Sequence, residues 1–167
     1  ELLTDVPPYA AVAAGIDALF GVFNKPEYAI GNLLKANFAN FVRIHNATGS
    51  SSNMLLHLPF MMRYAGFDVS IDDYQDVRTK TPVPEIFAHS LTENRDTFVL
   101  AQQMAEGKNR GMESIYRILA DLGVAMDLDA PTVLGKTWAE RIEGLENPVD
   151  LSLGDASVIR ATPVRSR

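Results

Sequence analysis

Residues 48–53 carry the side chains whose types and spacing most directly indicate binding chemistry. These small polar residues precede an apolar segment that begins at Met54. If that segment is a helix, the unpaired N–H groups at its start favour a bound carboxylate or phosphate. The hydroxyls of Ser51 and Ser52 and the amide of Asn53 would add donors. The alternative is that one of these three side chains caps the helix. The residue types alone favour capping and leave the binding role open.

The three histidines do not form a compact metal motif. His45, His57 and His89 are spread over the chain, whereas zinc motifs place paired ligands within a few residues of one another. His57 lies among leucines, so we interpret it as a core histidine that is hydrogen-bonded to the backbone. A catalytic histidine needs an orienting partner and a cleft, and the sequence identifies neither.

Gly135-Lys136-Thr137 superficially resembles the end of a phosphate-binding loop. That loop needs a glycine five positions before Gly135, so that backbone N–H groups can surround a phosphate. Ala130 stands there, and Pro131 follows and removes a donor. We therefore disfavour nucleotide binding and expect a strand–turn–helix joint with Lys136 in solvent.

The remaining charged groups have simpler interpretations. Asp72-Asp73 fits the first turn of a helix, and Asp127-Leu128-Asp129 fits a turn, since neither pair continues into the pattern of a calcium loop. Lys108 and Arg110 lie between two glycines, where a solvated turn is favoured over an anion site.

Composition limits the classes of function that are open to the chain. It has 167 residues and a net charge of −6, which argues against a nucleic-acid partner and against a polybasic membrane anchor. It contains no cysteine, so neither a disulfide nor a thiolate-bound metal or iron–sulfur site can form within it. No apolar run is long enough to span a membrane.

The elements that must position these residues are mainly helices. Apolar spacing, proline and glycine predict helices over residues 9–23, 27–43, 54–64, 71–80, 95–106, 112–122 and 138–142. The first is rich in apolar residues and is expected to be buried. The third is apolar on nearly every side and is also expected to be buried, with a kink or a later start at Pro59. Short strands are predicted at 85–91, 132–134 and 158–160. The fold class is therefore helix-rich α/β.

Several motifs, in order along the chain, resemble one enzyme family. Residues 49–58 read Gly-Ser-Ser-Ser-Asn-Met-Leu-Leu-His-Leu. This run resembles the Gly-Gly-Ser-Thr-Asn-x-x-Leu-His-Leu signature of the dihydroxy-acid, phosphogluconate and aldonic-acid dehydratases. Ile71-Asp72-Asp73-Tyr74 resembles the family's Asp-Asp-Phe helix. The other segments similar to the family are Tyr64-Ala65-Gly66, Thr81-Pro82, residues 119–124, residues 132–140 and Val158-Ile159-Arg160. The resemblance covers about residues 45–160.

Three departures indicate a divergent member, closer to the sugar-acid branch. Ser50 replaces the second glycine of the signature, Ser52 replaces its threonine, and residues 106–111 replace an Ala-Gly-Gly turn.

The resemblance implies a hydro-lyase that converts a 2,3-dihydroxy acid, here a sugar acid, into a 2-oxo-3-deoxy acid. It implies an iron–sulfur cluster, Mg²⁺ and a serine base for the complete enzyme, and none of these can be placed in this chain. By the same resemblance, Ser51, Ser52 and Asn53 become candidate substrate-binding residues. We expect an internal fragment that is inactive alone, with a partial α/β dehydratase domain over 1–148 and a linker over 149–167.

The expected partners are the remainder of the same polypeptide, a small sugar acid and further copies of the complete protein, with no nucleic acid or membrane. The expected location is the cytoplasm. The main alternative function is a catalytically inactive scaffold or interaction domain of the same fold.

Overall fold

Helices dominate the described part of the chain. The computed structural model describes residues 9–48, 51–81, 83–84, 111–145 and 161–162. Its helices are α1 (Tyr9–Val22), α2 (Ile30–Thr48), α3 (Met54–Tyr64), α4 (Ile71–Thr79), α5 (Met112–Asp121) and α6 (Trp138–Ile142), with a 3₁₀ helix at Pro26–Tyr28. Strands β1 (Val83–Pro84) and β2 (Ala161–Thr162) pair antiparallel. The predicted helix-rich fold class is confirmed.

Helix α2 is the central element because it contributes to both apolar cores. Five of its buried residues recur at the three- and four-residue spacing of one helix face: Leu33, Asn37, Asn40, Ile44 and Ala47. Leu34 and Val42 are also buried, on another side of the helix. Leu34 and Val42 belong to one core, and Ile44 and Ala47 belong to the other. The sequence predicts this helix over residues 27–43, whereas the observed helix starts and ends later. Pro26 begins the preceding 3₁₀ helix, a first-turn position that suits proline.

The two cores join α2 to different partners. The first core contains Leu58 and Met62 of α3 and Tyr74 of α4. The second contains the buried face of α5 together with Ile142 of α6. Tyr116 stacks on the indole of Trp138, with ring centroids 3.7 Å apart and planes inclined by 13°. The predicted amphipathic α5 is confirmed, and it stops before Gly123, which has a φ of +76°.

Two asparagines of α2 attach the loop between α5 and α6 to the helix. The side chain of Asn40 accepts from the backbone N–H of Asp127 at 2.9 Å and donates to its carbonyl at 2.8 Å. Asn37 donates to the carbonyl of Pro131 at 2.9 Å and accepts from Trp138 Nε1 at 2.7 Å. Both asparagines are buried, so their polar atoms need these partners. Neither residue belongs to a motif that could be recognised in the sequence.

The burial predicted for α1 and α3 is wrong in the described part of the chain. Helix α1 has no buried residue, although Leu19 and Phe20 are large and apolar. In α3 only Leu58 and Met62 are buried. An apolar stripe at i, i+4 spacing remains in solvent, with Leu56 74%, Phe60 71% and Tyr64 90% exposed. The physical reason is that no described element packs against these faces. Helix α3 nevertheless begins at Met54 and runs through Pro59 without a later start.

The predicted strand at 132–134 is also wrong. These residues form a tight loop that is closed by an isolated bridge between Pro131 and Thr137. The N–H and hydroxyl of Thr132 both donate to the carbonyl of Lys136, at 2.7 and 2.8 Å. Gly135 has a φ of +73°, a conformation that favours glycine. Local hydrogen bonds of this loop therefore replace the strand that the residue types favour.

Capping boxes begin α4 and α6, and the Ser70 cap confirms the prediction for α4. The Ser70 side chain accepts from the N–H of Asp73, and the Asp73 carboxylate accepts from the N–H of Ser70. Thr137 and Glu140 make the same reciprocal pair at α6. The backbone hydrogen bond from Ser70 lowers the pKa of Asp73, and the one from Thr137 lowers the pKa of Glu140.

Several predictions fall outside the described residues. These are the helix over 95–106, the strands at 85–91 and 158–160, and the roles given to His89, Lys108 and Arg110. Within the described ranges, no helix combines the length and the hydropathy that a membrane span requires.

Candidate functional site

The signature loop, residues 51–53, leads directly into α3 and is exposed. The first three N–H groups of α3 donate to the carbonyls of Ser51, Ser52 and Asn53 at 3.1, 3.0 and 3.0 Å. The expected set of unpaired N–H groups at this helix start is therefore wrong, because the loop enters the helix through tight turns that use these donors. An acid that binds here must be recognised mainly by side chains.

The expected capping of α3 by Ser52 or Asn53 is wrong as well. Asn53 has a helical φ of −59° and ψ of −25°, and its side chain makes no capping hydrogen bond. Ser51 caps only the turn that leads into the helix, since its Oγ accepts from the N–H of Asn53 at 3.3 Å. Among the described residues, the side chains of Ser52 and Asn53 have no hydrogen-bond partner. These two side chains are therefore available to a ligand.

A polar cleft opens beside this loop, between α2 and α4. Its volume is about 410 Å³. The polar residues that line it are His45, Asn46, Ser52, Tyr74, Gln75 and Arg78. Of the three predicted site residues, the structure brings Ser52 to this cleft. Ser51 and Asn53 do not line it; Ser51 lines a neighbouring apolar cleft, and its carbonyl lies 2.8 Å from His45 Nε2.

The cleft has a positive character. Arg78 is the one permanent cation among its described lining residues, and none of these residues is acidic. Arg78 Nε donates to Gln75 Oε1 at 3.0 Å, which directs the guanidinium. Its other nitrogens have no partner among the described residues. A guanidinium with unused donors matches a planar carboxylate, so the cleft suits an organic acid.

Sequence reasoning missed Tyr74 and Arg78, and considered His45 only as a metal ligand. Tyr74 and Arg78 are four residues apart on α4, a spacing that places both on one helix face. That spacing was the available signal. Nothing in the sequence indicates that this face meets His45, because the meeting depends on how α4 packs on α2.

His57 is not a core histidine. It is exposed on α3, although leucines surround it in the sequence. Its neighbour Leu58 takes the buried position of that turn. Gly135-Lys136-Thr137 shows no phosphate-binding geometry, since the Thr137 hydroxyl caps α6 and the Lys136 carbonyl closes the loop. Lys136 is exposed, as predicted.

Two further clefts, of about 360 and 420 Å³, lie around Phe41, Met112 and Trp138. Both have largely apolar walls, whereas a polyhydroxy acid needs many hydrogen-bond partners. They suit such a ligand less well than the polar cleft does.

The residues present do not fit a metal cluster. The chain has no cysteine, and thiolates are the ligands that iron–sulfur clusters require. Over the described ranges, no group of three or more histidine, aspartate or glutamate side chains is placed to hold a metal ion.

Comparison with known proteins gives one consistent result. The family model of the dihydroxy-acid/6-phosphogluconate dehydratase N-terminal region matches residues 28–141. The dihydroxy-acid dehydratase of Francisella tularensis subsp. novicida (strain U112) is 36% identical over 114 residues, which cover 68% of this chain and 18% of that protein. The dihydroxy-acid dehydratase of Renibacterium salmoninarum is 31% identical over 131 residues, which cover 77% of this chain and 20% of that protein. The chain thus spans about one fifth of the length of these curated relatives.

Proposed function

The chain belongs to the dihydroxy-acid/6-phosphogluconate dehydratase family, and from this membership we propose that the complete protein is a hydro-lyase. Its substrate is a 2,3-dihydroxy acid of the sugar-acid type. The substitutions of Ser50 and Ser52 within the signature support the sugar-acid branch. The curated relatives in the comparison are named dihydroxy-acid dehydratases, so the branched-chain substrate is the competing one.

The reaction is an elimination that releases one water. The proton on C2 and the hydroxyl on C3 leave, and the resulting enol tautomerises to the 2-oxo-3-deoxy acid. The negative charge that develops next to the carboxylate requires positive groups or hydrogen-bond donors near that end of the substrate.

The observation that carries the proposal for this chain is the polar cleft with Ser52 and Arg78 on its walls. The Arg78 guanidinium binds the carboxylate, and the hydroxyl of Ser52 binds an adjacent oxygen of the substrate. Asn53, whose side chain lacks a partner in the described structure, adds a further donor or acceptor for a substrate hydroxyl. These residues bind and orient the acid, and the bonds break elsewhere in the complete protein.

The family resemblance implies an iron–sulfur cluster and Mg²⁺. The chain has no cysteine for the cluster, and the described residues contain no group of three or more histidine, aspartate or glutamate side chains placed to hold a metal ion. The cluster and Mg²⁺ belong to other parts of the complete polypeptide in our proposal, as does the base that removes the C2 proton. The 167-residue chain alone is therefore expected to be inactive. The proposed partners are the remainder of the polypeptide and further copies of it, and the proposed location is the cytoplasm.

A scaffold of the same fold is the second candidate. The exposed apolar faces of α1 and α3 favour it, because such faces are suited to binding other protein surfaces.

The test measures 2-oxo acid formation by the complete, cluster-loaded protein and by the 167-residue chain. The panel contains several sugar acids and 2,3-dihydroxy-3-methylbutyrate. Turnover of a sugar acid by the complete protein alone supports the proposal. Absence of turnover of any acid by the loaded complete protein favours the scaffold, and turnover by the 167-residue chain contradicts the division of roles.

Arg78→Gln probes the cleft within the complete protein. Losing a charge-assisted hydrogen bond of about 1.5–3 kcal/mol is expected to raise KM by about 10- to 100-fold, with a smaller effect on kcat. Arg117→Gln is the matched control, since Arg117 pairs with Asp121 on α5 and does not line the cleft. Asn53→Ala is expected to lower turnover without destabilising α3, because its side chain does not cap the helix.

A further inference from the structure

We propose that His45 and Tyr74 are positioning residues, which hold the signature loop in place through a hydrogen-bonded chain from α4 to the Ser51 carbonyl. The hydroxyl of Tyr74 bonds to His45 Nδ1, and His45 Nε2 bonds to the carbonyl of Ser51 at 2.8 Å. The hydrogen-bonded chain does not depend on the proposed function. Its purpose, which is to present Ser52 and Asn53 to the substrate, rests on that function.

The directions of the two hydrogen bonds follow from the chemistry of the atoms. A carbonyl oxygen only accepts, so His45 Nε2 must carry the hydrogen. In a neutral imidazole the other nitrogen is then unprotonated, and Nδ1 accepts from the hydroxyl of Tyr74. The chain of bonds therefore fixes one tautomer of His45, with the hydrogen on Nε2.

Tyr74 is well suited to anchor this chain of bonds. Its side chain is 1% exposed and lies in the core with Leu58 and Met62. Its ring meets the His45 ring edge-on, with centroids 5.6 Å apart and planes inclined by 76°. Burial raises the pKa of Tyr74 to about 12, so the hydroxyl remains a donor at neutral pH.

The signature loop makes no other hydrogen bond to α2 or α4 among the described residues. Its remaining hydrogen bonds stay within the loop or run into α3. The bond from His45 therefore limits how far Ser52 can move relative to the cleft wall that carries Tyr74 and Arg78. This couples the packing of α4 to the geometry of the loop.

The decisive variant is Tyr74→Phe, which keeps the ring and removes the hydroxyl. Phenylalanine also ends the Asp-Asp-Phe pattern that residues 72–74 resemble, so the variant is expected to fold. Tyr116→Phe is the matched control, because Tyr116 is equally buried, and no hydrogen bond involves its hydroxyl in the described structure.

The first measurement needs no turnover and uses the 167-residue chain. In long-range ¹⁵N–¹H spectra, the Nδ1 resonance of His45 is expected to shift in Tyr74→Phe and to stay in place in Tyr116→Phe. Hydrogen exchange of the amides of residues 53–56 is expected to rise about fivefold in Tyr74→Phe, the equivalent of one net hydrogen bond of about 1 kcal/mol. An unchanged Nδ1 resonance and equal exchange in both variants overturn the proposal, provided that circular dichroism shows both to be folded.

The second measurement tests the histidine. His45→Gln retains a donor and an acceptor and is expected to restore most of the loop protection that His45→Leu loses. Equal protection in these two variants contradicts the role of His45.

A third measurement uses the complete enzyme. Tyr74→Phe is expected to raise KM for the acid with kcat nearly unchanged, whereas Tyr116→Phe changes neither. An unaltered KM, together with faster loop exchange, refutes substrate binding by the loop and leaves the hydrogen-bonded chain itself established. The failure of the proposed function is in this way distinguishable from the failure of the positioning role.

Discussion

Asn40→Ala is expected to be among the most destabilising single truncations of a polar side chain in α2. The side chain of Asn40 is fully buried, and it makes two hydrogen bonds with the main chain of Asp127. Each bond contributes about 1 kcal/mol net, and the bonding groups of Asp127 lose their partners together. Alanine regains about 0.5 kcal/mol through its higher helix propensity.

A control on the same helix compares this buried asparagine with an exposed one. Asn32 is exposed and makes one hydrogen bond, from its side chain to the carbonyl of Pro26 at 2.8 Å. Asn32→Ala, in the first turn of α2, gains less from helix propensity than a change in the helix interior and loses only a bond that water can replace. The difference in unfolding free energy between the two variants is therefore expected to be about 2 kcal/mol.

Urea denaturation of the 167-residue chain, followed by circular dichroism, measures this difference. The slope of the free energy against urea should be similar in both variants, since neither changes the surface exposed on unfolding. A difference below about 0.5 kcal/mol would refute the view that the asparagine attaches the loop to α2. It would mean that water satisfies Asp127 equally well.

Two further predictions concern the acid-sensitive caps and the two faces of α3. Because hydrogen bonds lower the pKa of Asp73 and of Glu140 below their ordinary values of 3.8 and 4.5, their contribution to stability is complete above those values. This contribution is lost as the pH falls through the lowered pKa values. Tm is therefore expected to drop below about pH 4.5, and to drop less steeply when Asp73 and Glu140 are both changed to their amides. Leu58→Ala should cost about 2–5 kcal/mol, whereas Leu56→Ala, on the exposed stripe, should change stability by less than about 1 kcal/mol and reduce binding of a hydrophobic dye. Equal stability losses in the two leucine variants, measured by thermal denaturation, would contradict the assignment of the faces.

Local signals in the sequence were sufficient for the starts and ends of several helices. Ser70 before two aspartates predicts the start of α4 because a side-chain cap acts within one turn. Gly123 predicts the end of α5 in the same way. The strand predicted at 132–134 is wrong because β-propensity depends on a neighbouring strand, whereas Thr132 bonds back to Lys136 within a closed loop.

Burial and the site required information that is not local. Helices α1 and α3 have the composition of buried helices, but composition does not say whether a partner is present to cover them. The polar cleft depends on α4 lying against α2, which brings His45 next to Tyr74 across 29 residues of sequence. In the sequence Asn37 and Asn40 look like ordinary polar helix residues, because their partners at 127–138 are far away along the chain.

The stacking of Tyr116 on Trp138 gives the molecule an optical reporter. Trp138 is the single tryptophan of the chain, and its ring nitrogen donates to Asn37 of α2 while its face lies on α5. Its fluorescence therefore senses three elements at once. When residues 127–138 detach from α2, the indole loses its hydrogen bond to Asn37, and its emission is expected to move to longer wavelength as water reaches it. Energy transfer from Tyr116 is expected to fall when α6 also separates from α5. Detachment of this loop can thus be followed in real time without a label. Helices α3 and α4 contain no tryptophan, so they do not contribute to the signal.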